Sequence, residues 1–513
     1  MVAKTISATI IGLDAFKIEI ETDFVNSLPS IVIVGLPDTA VSEAKERVRS
    51  AIKNSDFPFT TKKVVVNLAP AEIKKEGAIF DLAIAVGILT QDGIIPQEKI
   101  SDTAFLGELS LNGDIRPING AFPLVLGLKK AGVKRVIVPE ENAREASLAD
   151  GIEIFCAKSL KDVVENFTKD GEKTLKKVTT DVCKYLDEGA EEEFVYDFKD
   201  VKGQMKAKKA LEIAAAGGHN VLMTGSPGAG KTLMAKCFAS ILPPLELQEA
   251  LELTKIYSIS GLLKGKGLVV KRPFRIVHHS ASAVGIIGGG SNPKPGEITL
   301  AHHGVLFLDE MVEFPRNVLE NLRQPLEDGE VNISRANGSV KYPADFILVG
   351  AMNPCPCGFL GDSQKECTCS DFQIKRYRSR LSGPLLDRID LQIEVTRLSP
   401  DELLNNNTAS ESSEQIRKRV ISARKIQLER YKDYGILTNS QLNSKLIKIF
   451  CKLDKNSETL LKTAISEFNL SGRAYDRILK LSRTIADLYG EENISQVHVA
   501  QALQYRGFDF ESL

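Results

Sequence analysis

Gly225-Ser226-Pro227-Gly228-Ala229-Gly230-Lys231-Thr232 follows the short apolar run Asn220-Val221-Leu222-Met223-Thr224 and precedes Leu233 to Ala239. The first flank reads as a buried strand and the second as the continuation of a helix. A glycine-rich turn in that setting lets backbone N–H groups converge on phosphate oxygens at a helix N-terminus. Gly225, Ser226, Pro227, Gly228, Ala229 and Gly230 then form the cradle. Lys231 adds charge at the β- and γ-phosphates, and Thr232 offers a hydroxyl to Mg²⁺. An accidental match to the spacing GxxxxGK[ST] is the competing reading, and both flanks weigh against it.

Gly304-Val305-Leu306-Phe307-Leu308-Asp309-Glu310 is a continuous apolar run ending in two carboxylates, as a central parallel strand would be. In an open α/β sheet the C-terminal ends of the strands present the ligand-binding groups. Asp309 is placed to complete the Mg²⁺ shell, and Glu310 to orient and deprotonate an attacking water. An exposed acidic strand end would explain this run alone. Paired with the phosphate loop, it points to an ATPase using ATP and Mg²⁺.

The 513 residues suffice for about three domains, and 43% are apolar, enough for real cores. The net charge is −1, so no global field draws the chain onto nucleic acid or membrane, and a polyanion must be gripped by local basic loops. No stretch reaches the roughly 18 apolar residues of a membrane span; Ala78 to Leu89 comes nearest and is interrupted by Asp81. The N-terminus lacks a signal peptide's apolar block. Eight cysteines, four of them clustered, suit a reduced compartment, and a cytoplasmic location is expected.

Residues 1–165 alternate strands and helices. Phe16 to Glu21 has period two, Ser30 to Val34 and Lys63 to Asn67 read as more fully buried strands, and Ala40 to Ile52 as a charged amphipathic helix. Phe105 to Leu109 leads to a turn at Asn112-Gly113, then a helix near Pro123 to Ala131 and a strand at Val136 to Pro139. Residues 166–194 are charged and read as a linker. A nucleotide domain spans 195–400. Helices are expected at Ser413 to Tyr431, Ser440 to Cys451, Arg473 to Tyr489 and Ser495 to Tyr505, within a helical lid domain at 401–513. There is no internal repeat.

Further motifs are Asp200-Val201-Lys202-Gly203-Gln204, His278-His279-Ser280-Ala281-Ser282, Gly288-Gly289-Gly290-Ser291-Asn292-Pro293, Asn353-Pro354-Cys355-Pro356-Cys357-Gly358 and Leu385-Leu386-Asp387-Arg388-Ile389-Asp390. With these the chain resembles, over nearly its whole length, the Mg-chelatase-like AAA+ ATPases of the competence-associated ComM/YifB type. The resemblance implies a multidomain α/β protein: an N-terminal Lon-proteolytic-like α+β domain, a central P-loop α/β domain and a helical lid. It also implies that Asn353, after the apolar run Phe346 to Gly350, is the sensor residue near the γ-phosphate, and that Gly203 and Gln204 lie near adenine. Arg388 looks like the arginine finger offered to a neighbouring subunit, with Arg378 and Arg380 as competitors for that role, and Arg473 looks like the second sensor on the lid. A finger acting in trans requires a head-to-tail interface, which closes into a ring when the rotation permits. The family implies a homo-hexamer.

Between the Asp309-Glu310 strand and the Asn353 strand, Val331 to Pro343 carries Asn337-Gly338, a strong hairpin signal. In the related replicative minichromosome-maintenance helicases a hairpin here projects into the pore, where Arg335 and Lys341 would track a phosphate backbone. Phe274 to Pro295 would form a second pore loop. A plain surface turn with solvated cations is the alternative. Two functions stay open: a motor on single-stranded, forked or four-way-junction DNA, driving helicase or branch-migration work in recombination or natural transformation, or a protein-remodelling, chelatase-like ATPase without a DNA substrate.

Cys355, Cys357, Cys367 and Cys369 form two C-x-C pairs nine residues apart. Four thiolates so grouped can hold Zn²⁺ tetrahedrally; four reduced thiols or a redox-labile pair are the alternatives. His278 and His279 are weaker metal candidates, since adjacent histidines point apart on an extended chain.

Residues 66–142 resemble the proteolytic domain of Lon proteases. The family's Pro-Lys-Asp-Gly-Pro-Ser-Ala-Gly aligns with Lys74 to Asp81, placing Ile79 at the nucleophile, and its lysine base aligns with Phe122. An alkyl and a phenyl group supply neither nucleophile nor base. An inactive scaffold that assembles the ring or docks an unknown protein partner is expected.

Overall fold

The structure, a computed structural model, describes residues 2–168, 175–182, 184–186, 194–263, 265, 267–290, 293–335, 338–399, 410–468 and 470–505. The chain forms two compact units, Met1–Ala190 with Glu246–Val270 and Glu191–Leu245 with Lys271–Leu513.

The first unit is built on an eight-stranded sheet. In chain order its strands are β1 (Ala3–Ile11), β2 (Asp14–Val25), β3 (Ile31–Val34), β4 (Lys63–Ala69), β5 (Thr103–Phe105), β6 (Arg135–Pro139), β7 (Glu153–Ala157) and β8 (Lys176–Val178). Their spatial order is β8-β7-β6-β5-β1-β2-β4-β3. A tight turn at Gly12 and Leu13 joins β1 to β2, in register from Ala3 opposite Thr22 to Ile11 opposite Asp14. Helix Thr39–Asn54 begins where the Asp38 carboxylate accepts from the Val41 N–H, and it buries Val41, Ala44, Val48, Ala51 and Ile52 on one face. The apolar stretch after Ala78 is a core helix, Asp81–Gln91, buried nearly all round.

Three readings of this half are corrected. β3 is an edge strand with Val32 and Val34 exposed, and β4 buries only alternate residues, because one face of the sheet here is left open and successive side chains point to opposite faces. Lys176–Val178, read as linker, is the other edge strand, its lysines lying along the open margin as edge strands favour. Much of the remaining linker, 169–174 and 187–193, lies outside the described residues. Residues 246–270, read as nucleotide domain, belong to this first unit. There helix Leu247–Ile259 places the Ser258 carbonyl 3.1 Å from the Gly120 N–H and its hydroxyl on the buried Glu145 carboxylate. Glu145 also accepts from the Phe122 N–H at 2.9 Å, and burial pushes its carboxyl up.

The second unit holds an all-parallel sheet of β9 (Val221–Thr224), β10 (Phe274–Val277), β11 (Val305–Leu308), β14 (Ile347–Met352) and β15 (Leu391–Glu394), in the order β10-β11-β14-β9-β15. Every residue of β11 and β14 is buried, which is why both read as unbroken apolar runs. Between them the antiparallel hairpin of β12 (Glu330–Arg335) and β13 (Gly338–Pro343) leaves the sheet, in register from Glu330 opposite Pro343 to Arg335 opposite Gly338. Its turn residues Ala336 and Asn337, and the Arg335 side chain, lie outside the described residues. Helices follow at Ser413–Tyr431, Ser444–Phe450, Lys455–Phe468, Gly472–Tyr489 and Gln496–Gln504. The second starts four residues later than the sequence suggests, because Asn443 caps it by accepting from the N–H groups of Lys445 and Leu446.

Candidate ATP site

The turn after β9 is a cradle with one basic side chain inside. Gly228 and Gly230 take φ of +81° and +93°, a region that favours glycine, and a Cβ at either would meet only open space. Helix Lys231–Phe238 starts with no side chain capping its first N–H groups, which leaves them for an anion. The Lys231 ammonium, 9% exposed, donates to the carbonyls of Gly225 (2.5 Å) and Ser226 (3.0 Å) and to Oδ1 of Asn353 (3.2 Å). Burial lowers its pKa to about 8, against the opposing pull of Asp309 and Glu310.

The strand order makes the rest of the site. β14 lies between β9 and β11, so the residues after all three strands meet at one sheet edge. Thr232 donates its hydroxyl to Oδ2 of Asp309 at 2.9 Å. That hydroxyl and carboxylate are hard oxygen ligands side by side and fit a Mg²⁺ ion bound through a few protein groups. Glu310 sits next to them at φ +50°, with Oε2 3.3 Å from Nδ1 of His279. Gln204 donates to the Thr396 carbonyl beyond β15 at 2.5 Å, and Arg397, one residue on, donates to the Pro227 carbonyl at 3.0 Å. The loop bearing Gly203 and Gln204 is thereby tied to the segment that touches the phosphate loop.

Lys231, Thr232, Asp309, Glu310 and Asn353 thus converge. Arg388 and Arg473 do not join them. The Arg388 carbonyl accepts from the Asn220 side chain at 3.0 Å, at the start of β9, whereas the cradle follows the end of that strand. The Arg388 guanidinium is held by Glu327 and by the carbonyls of Arg323 (3.1 Å) and Pro384 (2.8 Å). Arg473 is exposed at the start of helix Gly472–Tyr489, and its charge helps Arg388 hold the Glu327 carboxyl below the usual range. Arg378 donates to the Pro354 carbonyl (3.2 Å), and Arg380 pairs with Glu313 (2.8 Å). On the hairpin, Lys341 is exposed but paired with Glu330 at 3.2 Å.

Two sequence readings change here. His278 and His279 do not point apart: their rings lie 4.0 Å centroid to centroid, because the chain turns after β10 instead of staying extended. His279, a metal-ligand candidate and part of the proposed second pore loop, is the neighbour of Glu310. Arg397 and Tyr377, which accepts from the Asn353 N–H, went unnoticed because nothing in their local sequence marks them. In the first unit Phe122 is a core side chain and Ile79 packs against that core.

A glycine cradle, a buried lysine, a Thr-Asp pair and an acid on the next strand but one define a P-loop ATPase of the α/β class. Family comparison is more specific. "Magnesium chelatase, subunit ChlI" matches residues 197–403, "Subunit ChlI of Mg-chelatase" residues 20–142, and "Magnesium chelatase, subunit ChlI C-terminal" residues 410–506. The chain is 44% identical over 495 residues to the competence protein ComM of Haemophilus influenzae, covering 96% of this chain and 95% of that one. It is 40% identical to the protein YifB of Salmonella typhimurium, covering 97% and 96%. It is also 38% identical to Lon protease 2 of Bacillus subtilis over 98 residues, 19% of this chain and 17% of that one. The chain belongs to the Mg-chelatase-like AAA+ ATPases of the ComM/YifB type.

Proposed function

We propose that this ATPase is a ring-forming motor that acts on DNA, as a helicase or branch-migration enzyme in recombination or natural transformation. The observation that carries the reading is the β12–β13 hairpin, which leaves the sheet between the acid strand and the Asn353 strand. Through the start of β14 the hairpin is linked along the strand to Asn353, and through the two helices before it to Glu310. Arg335 and Lys341 supply its cations, and similarity to a competence protein supports DNA as the substrate.

Thr232 and Asp309 would hold Mg²⁺, which supplies charge neutralisation at the phosphate oxygens. Lys231 binds and orients the β- and γ-phosphates, Glu310 takes the proton of the attacking water, and Asn353 fixes that water. Arg388, at the far end of β9 from its own cradle, acts on a neighbour's nucleotide, and Arg473, whose charge reaches Glu327 as that of Arg388 does, serves as the second sensor on the lid. The assembly is a homo-hexamer. We place it in the cytoplasm; among the described residues no helix is long and apolar enough to cross a membrane. The first unit serves as a scaffold for the ring or for a protein partner, and the four cysteines hold Zn²⁺.

Junction unwinding with ATP tests this reading. Wild type should separate a four-way junction, Glu310→Gln should bind but not separate it, and Arg335→Ala with Lys341→Ala should weaken DNA-stimulated ATPase. ATPase indifferent to DNA, with no junction binding at low salt, would instead favour protein remodelling.

A further inference from the structure

Residues 353–370 contain no helix or strand, an irregular stretch long enough to need something that holds it. It carries all four clustered cysteines. Sγ of Cys355 lies 3.3 Å from that of Cys357 and 3.6 Å from that of Cys367, and Cys357 and Cys367 are 3.6 Å apart. All four sulfurs lie within 4.8 Å of one another. A tetrahedron of sulfurs about 2.3 Å from a central zinc has edges of about 3.8 Å, so the group needs little adjustment to close on the ion. Backbone N–H groups converge on the same sulfurs: Cys357 on Sγ of Cys369 (3.3 Å), Cys369 on Sγ of Cys367 (3.5 Å), Gly358 and Leu360 on Cys355, Phe359 and Thr368 on Cys357. Such donors stabilise the negative charge of metal-bound thiolates.

The loop so gathered is built onto the phosphate cradle. Gly358, at φ +85°, lies so close to Pro227 that a Cβ would come within 2.8 Å of its ring. The Ser226 hydroxyl hydrogen-bonds Asp362, whose other partners are the N–H groups of Gln364 and Lys365. Arg397 donates to the Pro227 carbonyl while standing 3.8 Å from Asp362 and over the Phe359 ring. At the other end, Asn353 and Pro354 lead directly into Cys355 and are held by Tyr377 and Arg378.

We infer that Cys355, Cys357, Cys367 and Cys369 form a zinc tetrathiolate knot whose task is to hold the cradle at Ser226–Pro227 and the sensor Asn353 in register, making ATP binding dependent on zinc. Each thiol gives up its proton to the solvent on binding the ion, and no redox step is involved. The coupling rests on the reading of the cradle as the ATP site; the zinc itself does not.

The full-length chain, purified without chelator in zinc-supplemented medium, should contain one zinc per chain by elemental analysis. Cys355→Ser with Cys367→Ser should lose it. Removing zinc with a membrane-permeant zinc chelator in excess Mg²⁺ should weaken binding of a fluorescent ATP analogue at least tenfold, and added Zn²⁺ should restore it. Because the cysteine variant risks misfolding, Arg397→Ala provides a second arm: it should keep zinc yet bind the analogue several-fold more weakly. Iron in place of zinc, no metal at all, a Cys355–Cys357 disulfide in the native chain, or unchanged nucleotide affinity after zinc removal would each overturn the inference. A zinc-loaded wild type that binds no nucleotide would overturn the ATP-site reading and with it the coupling, while its zinc count still decides the metal site.

Discussion

Nδ1 of His279 stands 3.3 Å from Oε2 of Glu310, joining the end of β10 to the acid that follows β11. The contact has the distance of an ion pair without hydrogen-bond geometry, and the imidazole is braced edge-on by Phe314 with ring centroids 6.5 Å apart. It therefore limits where the Glu310 carboxylate can swing. His279→Ala should lower kcat about tenfold and leave KM for ATP unchanged, since it misplaces a base without touching the nucleotide. Glu310→Gln should bind ATP normally and turn over far more slowly. Steady-state kinetics of both variants decide this, and wild-type turnover by Glu310→Gln would remove it from the role of base.

Lys231 gives a pH signature. Its free-state pKa of about 8 lies below that of an ordinary lysine because of burial, and a bound triphosphate would raise it again. ATP binding therefore takes up a proton above about pH 8, and affinity falls as pH rises past that value. Titration with a fluorescent analogue should show binding about tenfold weaker at pH 9 than at pH 7, matching the protonated fraction. Lys231→Ala should lose both the affinity and this pH dependence.

Arg388 lies at the opposite end of β9 from its own cradle, a strand length of roughly 13 Å away. Arg388→Ala should abolish hydrolysis and spare binding of the analogue. Mixing it with Lys231→Ala subunits should restore part of the activity, because an intact cradle then meets an intact arginine across some interfaces. No recovery over a range of mixing ratios would reject action in trans.

In the first unit Asp81 is fully buried and paired through both oxygens with Arg47, at 2.7 and 3.1 Å. Burial nonetheless pushes its carboxyl up to about 6, with Arg47 pulling the other way. A folded-state pKa above the unfolded value means that this group's stabilising contribution is present below about pH 4 and lost as pH rises through 6. Arg47→Met leaves the carboxylate without its cation and should cost about 3–5 kcal/mol at pH 8. The loss should be smaller at pH 5, where Asp81 takes up a proton. Urea unfolding at the two pH values measures the difference.

The glycine turn and the groups that meet it are legible because they fix local backbone: glycines where φ is positive, an apolar strand before and a helix after, a hydroxyl and a carboxylate at set places. Helix ends set by capping are less so. Lys455–Phe468 gives a weak sequence signal, because its first turn is polar, although Asp454 starts it by accepting from the Ser457 N–H. β3 looked buried since Ile31 to Val34 is wholly apolar, and composition does not say whether a strand has one neighbour or two. Nothing in the pattern of Leu247–Ile259 names its unit; contacts such as Ser258 to Glu145 and Gly120 place it in the first. The His278-His279 pair departs from the expectation because the chain bends after β10, a feature that local sequence does not mark.

Because Glu246–Val270 departs from the second unit and rejoins it after completing the first, three covalent passages connect the two bodies. A single scission anywhere in 169–193 would therefore yield a nicked but still tethered molecule, whose halves part only under denaturing electrophoresis. Truncation at Ala190 would likewise strip Glu145 of its hydroxyl donor, so the amino-terminal body is better produced with the excursion grafted back than as a simple fragment.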